Sequence, residues 1–269
     1  MKKLFKSTVL GVCLLASGFA NAALVTQWAY EVSSQWTAAT FVDGAGGDGG
    51  SQTFTSNILS WGSSAAGADY NDDDLNRSAL VISNSPKSGT DLFTNGLFPA
   101  LTNVITHFNN TISNTFKTLA GAKLQTSLKL KPYMPIEAPD FLEAKVLNFT
   151  INFTETPNDG DCDFDSDSNC DDIFVITIGD LSDSFTYDGV LYGVNIVETT
   201  ASLLGLSPEA CVQAGAAPNC IGFKTQEGLA TDAQFGIFIN AIPEPVGVAG
   251  LALGILSLMI VGRRRKIQA

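Results

Sequence analysis

The chain has 269 residues, with fifteen Lys and Arg against twenty-seven Asp and Glu, a formal net charge of −12 and a single histidine. Such a balance argues against nucleic acid as a partner, because that affinity comes mainly from Lys and Arg set against phosphates. It fits a soluble surface that repels its own kind and can hold cations, and the length suits one large β domain between two removable ends.

Residues 1–22 read as a signal peptide. Lys2, Lys3 and Lys6 form a positive n-region, residues 9–15 an apolar h-region, and Ala20-Asn21-Ala22 a small-x-small cleavage site. The general secretory machinery and signal peptidase are the partners this implies, with Ala23 as the first mature residue. Cys13 lies within the h-region, lacks the small residues that a lipoprotein site needs before it, and leaves with the peptide.

Strand signals dominate residues 23–241. Trp28, Tyr30 and Val32 alternate with Ala29, Glu31 and Ser33, the two-residue period of a half-buried strand. Residues 43–51 hold five glycines and read as a loop, and residues 54–61 read as a second strand ending at Trp61-Gly62. A Gly/Ala/Asp-rich segment over 62–74 is followed by an apolar run at 79–82, closed by the turn-forming Asn84-Ser85-Pro86. Residues 101–111 and 124–130 are the next candidates. The cleanest alternation lies at 147–154, with Leu147, Phe149, Ile151 and Phe153 on one face and Asn148, Thr150, Asn152 and Thr154 on the other. Residues 173–178 are apolar except for Thr177 and predict a strand buried on both sides. Asp188-Gly189 between two apolar runs predicts a tight hairpin. Residues 200–213 are the one segment that looks helical, with Pro208-Glu209-Ala210 starting a turn of helix. Phe235, Ile237 and Ile239 make the last strand. Ten to twelve short strands and little helical periodicity predict an all-β, antiparallel β-sandwich of jelly-roll-like form.

Four cysteines survive export, and an even number in an exported chain predicts disulfides. Three pairings are formally possible; the spacing favours two local loops, Cys162 with Cys170 and Cys211 with Cys220. Across the first pair runs an acidic stretch in which oxygen ligands recur at Asp161, Asp163, Asp165, Asp167, Asn169 and Asp172, an alternation that matches a calcium loop. Ser166 stands where such a loop wants Gly, and Asp172 is a shorter reach than the usual Glu. Calcium is the one cofactor the sequence points to. Asp72-Asp73-Asp74 reads as a solvated loop.

His107 lies in Thr106-His107-Phe108-Asn109. With no second histidine and no G-x-S-x-G elbow, a Cys/His dyad or Ser-His-Asp triad has little support. His107 and Asn109 are expected on one face of a strand, bonding backbone to fix a turn.

The chain closes on a tripartite segment, 242–269. Pro243-Glu244-Pro245 precedes an uncharged apolar stretch, 246–262, and Arg263-Arg264-Arg265-Lys266 follows within the basic end, 263–269. In lipid such a stretch satisfies its backbone as a helix, and at about 25 Å it is at the short limit for crossing. The basic flank stays cytoplasmic, leaving the body outside. This arrangement closely resembles the PEP-CTERM sorting signal of Gram-negative bacteria. The resemblance implies a transient inner-membrane precursor, cut by an exosortase near the motif and delivered to the cell surface or extracellular matrix. With both ends removed, the body carries a charge of about −18.

Thr106-His107-Phe108-Asn109, in a secreted β-rich chain with that tail, is similar to the THxN motif that names a family of PEP-CTERM proteins. Trp61-Gly62 and Gly222-Phe223-Lys224-Thr225-Gln226-Glu227 also resemble that family. The resemblance brings no activity; it implies a surface-sorted, non-enzymatic domain, often from bacteria that make exopolysaccharide. The first expectation is therefore a structural or adhesive surface protein with no catalytic residues. The alternatives are a carbohydrate-binding module, calcium-dependent or not, stacking sugars on Trp28, Trp36 or Tyr192, and a secreted glycosidase with two facing carboxylates.

Overall fold

The computed structural model describes residues 23–44, 46, 49–65, 69–71, 76–158, 162–177 and 182–243. Residues 1–22, expected as a signal peptide, Glu244, Pro245, the apolar stretch 246–262, the basic end 263–269, Asp72-Asp73-Asp74 and Asp161 lie outside the described residues.

The described chain is all-β, with fourteen strands and one short helix. They run β1 Gln27–Val42, β2 Ser51–Phe54, β3 Ile58–Gly62, β4 Arg77–Ser83, β5 Lys87–Phe93, β6 Ala100–Asn109 and β7 Thr118–Met134. Then come β8 Lys145–Thr154, β9 Asp172–Thr177, β10 Ser182–Tyr187, β11 Val190–Glu198, β12 Leu204–Gly205, α1 Pro208–Gln213, β13 Ile221–Thr225 and β14 Leu229–Ile242. Two seven-stranded antiparallel sheets result, β12-β13-β9-β8-β7-β1-β5 and β10-β11-β14-β6-β4-β3-β2.

Alternation explains why these sheets face each other. On β8, Phe149, Ile151 and Phe153 are buried while Asn148 and Thr150 are exposed. The inward rows meet inward rows of the other sheet, Leu59, Leu80, Ile82 and Ile105, in one core cluster. A second cluster packs Trp28, Tyr30 and Leu130 against Tyr192, Val194 and Ile239. β9 is buried on both sides, as its unbroken apolar run predicts. Phe174 and Ile176 enter the core between the sheets, and Ile173 and Val175 pack beneath α1 and Phe164. Asp188 and Gly189 turn the β10–β11 hairpin with φ of 47° and 78°, the positive values that Asp-Gly turns supply.

Two expectations need correction, and two strands were not anticipated. Residues 54–61 are not one strand but the turn and arms of the β2–β3 hairpin, because the Thr55 hydroxyl accepts from the Ile58 and Asn57 amides and bends the chain. Residues 200–213 are helical only over α1; Leu204 and Gly205 pair with β13 instead. β5 and β13 carry no clear apolar alternation and form strands through their partners, β5 on β1 and β13 on β9.

Both local disulfides are present, Cys162–Cys170 with Cα atoms 5.5 Å apart and Cys211–Cys220 at 5.7 Å. They fit an oxidising compartment, extracellular or periplasmic.

Candidate functional site

Near the end of the sandwich where β6, β8 and β13 finish, the inward rows of both sheets change from apolar to ionisable. On β6 the inward row is Ile105, His107 and Asn109. On β9 it is Ile176, Phe174 and then Asp172; β8 continues from Phe153 to Glu155. Thr154 pairs with Ile173 across β8 and β9, which makes Glu155 and Asp172 the next neighbours along that ladder. Thr225 pairs with Asp172 from β13.

His107 is fully buried within aromatic walls. The Trp61 ring stacks at 6.2 Å and 16°, Phe153 meets it edge-on at 5.0 Å, and Phe223 lies 6.4 Å away. Neither ring nitrogen has a hydrogen-bond partner among the described residues. Burial pushes the imidazole down to about 3, so it is neutral at pH 7. Its Nε2 is 3.8 Å from Asp172 Oδ2, too long for a hydrogen bond. Because burial and the charge of Glu155 hold Asp172 well above the carboxylate range, this contact is not an ion pair.

Glu155 accepts a 2.6 Å hydrogen bond at Oε2 from the Trp61 indole. The residue as a whole is half-buried, but Oε1 is shut away from solvent and unpartnered. Burial pushes its carboxyl up to about 8, against the pull of the Trp61 donor and with the charge of Glu227 adding to the rise. Glu155 and Asp172 therefore form a pair that retains a proton at neutral pH. Asp172 Oδ1 accepts from the Thr156 amide at 2.8 Å and its hydroxyl at 3.2 Å. Glu227, raised by burial, accepts from Asn109 Nδ2 at 3.2 Å and Thr111 Oγ1 at 3.1 Å. Asn109 Nδ2 also donates to the Thr225 carbonyl at 2.8 Å, whereas His107, expected to bond backbone beside it, makes no hydrogen bond among the described residues.

The three segments that carry the family resemblance thus meet in space. Trp61, His107, Phe223 and Glu227 line one buried seam between the sheets. Gly62 is required beside Trp61: its φ is +123°, and a Cβ there would lie 2.4 Å from the Asn76 carbonyl. Thr106 faces the other side of β6 and donates to Asp232 Oδ1 at 2.6 Å. A cleft of about 580 Å³ leads from the surface to Glu155 and Thr156, bounded by Asp43, Gly44, Ile112 and Asn158, with no aromatic ring among the described lining residues.

Within the described part of the acidic loop the candidate calcium ligands do not converge. Asp163, Asp165, Asp167 and Asn169 are exposed, whereas Asp172 is turned into the sandwich and held by Thr156. The loop instead wraps Asp171, whose carboxylate accepts from the Asp167 and Ser168 amides at 3.0 Å. Burial opposes its charge, but these bonds, the Ser168 and Ser166 contacts and the Lys224 ammonium outweigh that and lower its pKa. Lys224 Nζ donates to the Asp165 carbonyl at 2.5 Å and lies 3.6 Å from Asp171 Oδ2. Among the described residues no group of three His, Cys, Asp or Glu side chains is arranged to hold a metal ion.

Sequence reasoning missed Glu155, Thr156 and Asp171. Glu155 had a visible signal, since it falls in phase with the buried row Phe149, Ile151 and Phe153. The aromatic residues named for sugar stacking are all inward: Trp28, Trp36 and Tyr192 are buried, as is Trp61. No family model matches the chain, and no curated protein matches it as a relative.

Proposed function

We propose that this chain is an exported, non-enzymatic structural or adhesive protein of the bacterial surface or extracellular matrix. Its residues 23–241 form the cargo, a jelly-roll-like sandwich. The general secretory machinery exports it, signal peptidase removes residues 1–22, and residues 246–262 hold the precursor in the inner membrane. An exosortase then cuts near Pro243-Glu244-Pro245 and passes the body to the surface or its exopolysaccharide.

The inward setting of the motif residues carries this reading. Trp61, His107, Asn109 and Glu227 spend their side chains on joining the two sheets, and the walls around His107 leave no room at the ring for a substrate. The buried Trp28, Trp36 and Tyr192 likewise offer no stacking platform to a sugar. The two disulfides suit the oxidising exterior that such a protein would meet.

Deleting residues 243–245 tests the sorting step in the native host. Uncut precursor should accumulate in the inner membrane, and release equal to wild type would overturn it. Binding to a glycan array by the released protein would move the reading to a carbohydrate-binding module.

A further inference from the structure

We infer that the tail-bearing end of the sandwich docks on the lipid surface of the membrane, with Leu97, Phe98 and Ile136 entering its interfacial layer. This rests on the reading of residues 246–262 as a membrane tether.

These three side chains are 88%, 84% and 78% exposed, and Phe93 and Met134 beside them are about half exposed. Apolar side chains so fully presented in one place mark an interaction surface rather than ordinary scatter. They lie on two loops tied to one segment: the Thr94 amide donates to the Thr26 carbonyl at 3.0 Å, and the Thr26 amide to the Met134 carbonyl at 2.9 Å. The first loop is also bound to the last strand. The Asn95 amide donates to the Ile239 carbonyl at 2.8 Å, and the Ala241 amide to Asn95 Oδ1 at 3.2 Å.

The apolar loops therefore sit where β14 ends at Ile242. Only residues 243–245 separate that point from the apolar stretch, a reach of about 10 Å even when extended. A tethered body is held with this end against the bilayer, at an effective concentration that makes weak insertion count. Residues 92–101 and 132–136 carry no charge, in a body of about −18. The acidic loop 162–172 lies at the opposite end, with the ends of β6 and β8. Asp91, Glu137 and Asp140 stand exposed at the margins of the two loops, so the uncharged patch is bounded by acids, and it is the nearness of the tether that favours lipid over a second copy as the occupant.

The test reconstitutes the full chain into phosphatidylethanolamine–phosphatidylglycerol vesicles containing brominated-chain lipid and reads tryptophan quenching. Wild type gives the baseline, since Trp28, Trp36 and Trp61 are buried. Phe98→Trp and Ile136→Trp should each be quenched several-fold more than Ser113→Trp, which reports from the exposed loop at the far end. Equal quenching at the three positions in chain that floats with the vesicles overturns the docking alone. Chain that fails to float overturns the tether and the docking together. Protection of Phe98→Trp from bromolipid, with a dimer that Phe98→Asp dissociates in detergent, would assign the patch to a second copy and overturn the proposal.

Discussion

Trp61 Nε1 donates to Glu155 Oε2 across 2.6 Å, joining residues 94 positions apart and bridging the two sheets. Trp61→Phe keeps most of the ring's packing and removes the indole donor to Glu155 Oε2. Leaving that oxygen unpartnered should cost about 1–3 kcal/mol, read by chemical denaturation. Trp61→Phe combined with Glu155→Leu should recover most of the loss, because both polar partners are then gone.

The same carboxyl makes stability depend on pH. Glu155 titrates near 8 in the folded chain against an ordinary 4.5, so the folded state holds a proton that the unfolded state has released, and stability falls as pH rises through that range. Asp172 acts in the same direction. His107, lowered from 6.5 to about 3, acts oppositely and masks the trend below pH 6.5, where the unfolded imidazole gains a proton. Between pH 6.5 and 8 only the carboxyls remain, and stability should drop by about 2 kcal/mol across that window. Glu155→Gln should flatten the slope; a wild-type melting temperature constant from pH 6.5 to 8 would contradict the assignment.

His107 and Asn109 stand two residues apart on one face of β6 and should respond oppositely to substitution. His107→Leu replaces two unpartnered buried nitrogens with a side chain of similar volume, and its stability should be within about 1 kcal/mol of wild type or higher. Asn109→Leu strips the donor from the Thr225 carbonyl and Glu227, and should lose about 2–4 kcal/mol. Thermal melts of the two variants side by side decide whether His107 is kept for stability.

The sandwich was legible wherever one face is wet, because alternation then writes the buried row into the sequence, as it does for Phe149, Ile151 and Phe153. The double burial of β9 and the Asp188-Gly189 turn were legible for the same local reason. The hairpin at 55–57 was not, because Thr55-Ser56-Asn57 breaks the apolar run without a Gly or Pro to mark the turn that the Thr55 hydroxyl makes. The residue types of the site were partly visible in Trp61, His107 and Glu227. Their meeting point was not, because it depends on strands from both sheets ending at one level. Asp172 shows the limit: in sequence it completes the alternation of an acidic loop, but pairing with Thr225 on β13 turns its side chain inward.

Lys224 supplies the positive charge that a calcium ion would bring to the acidic loop. Its ammonium bridges the Asp165 carbonyl and Asp171, and Nζ lies over the Phe164 ring, 6.0 Å from the centroid. Lys224→Met keeps the stem but leaves the buried Asp171 carboxylate facing its own acidic loop. We expect a loss of about 1–3 kcal/mol at pH 7 and faster proteolytic nicking within residues 162–172. The loss should shrink as pH falls through the lowered pKa of Asp171, because protonation removes the charge that Lys224 compensates. Millimolar calcium followed by chelator should leave the wild-type melting temperature unchanged. A calcium-dependent rise in wild type would show that the exposed Asp163, Asp165 and Asp167 can close on an ion after all.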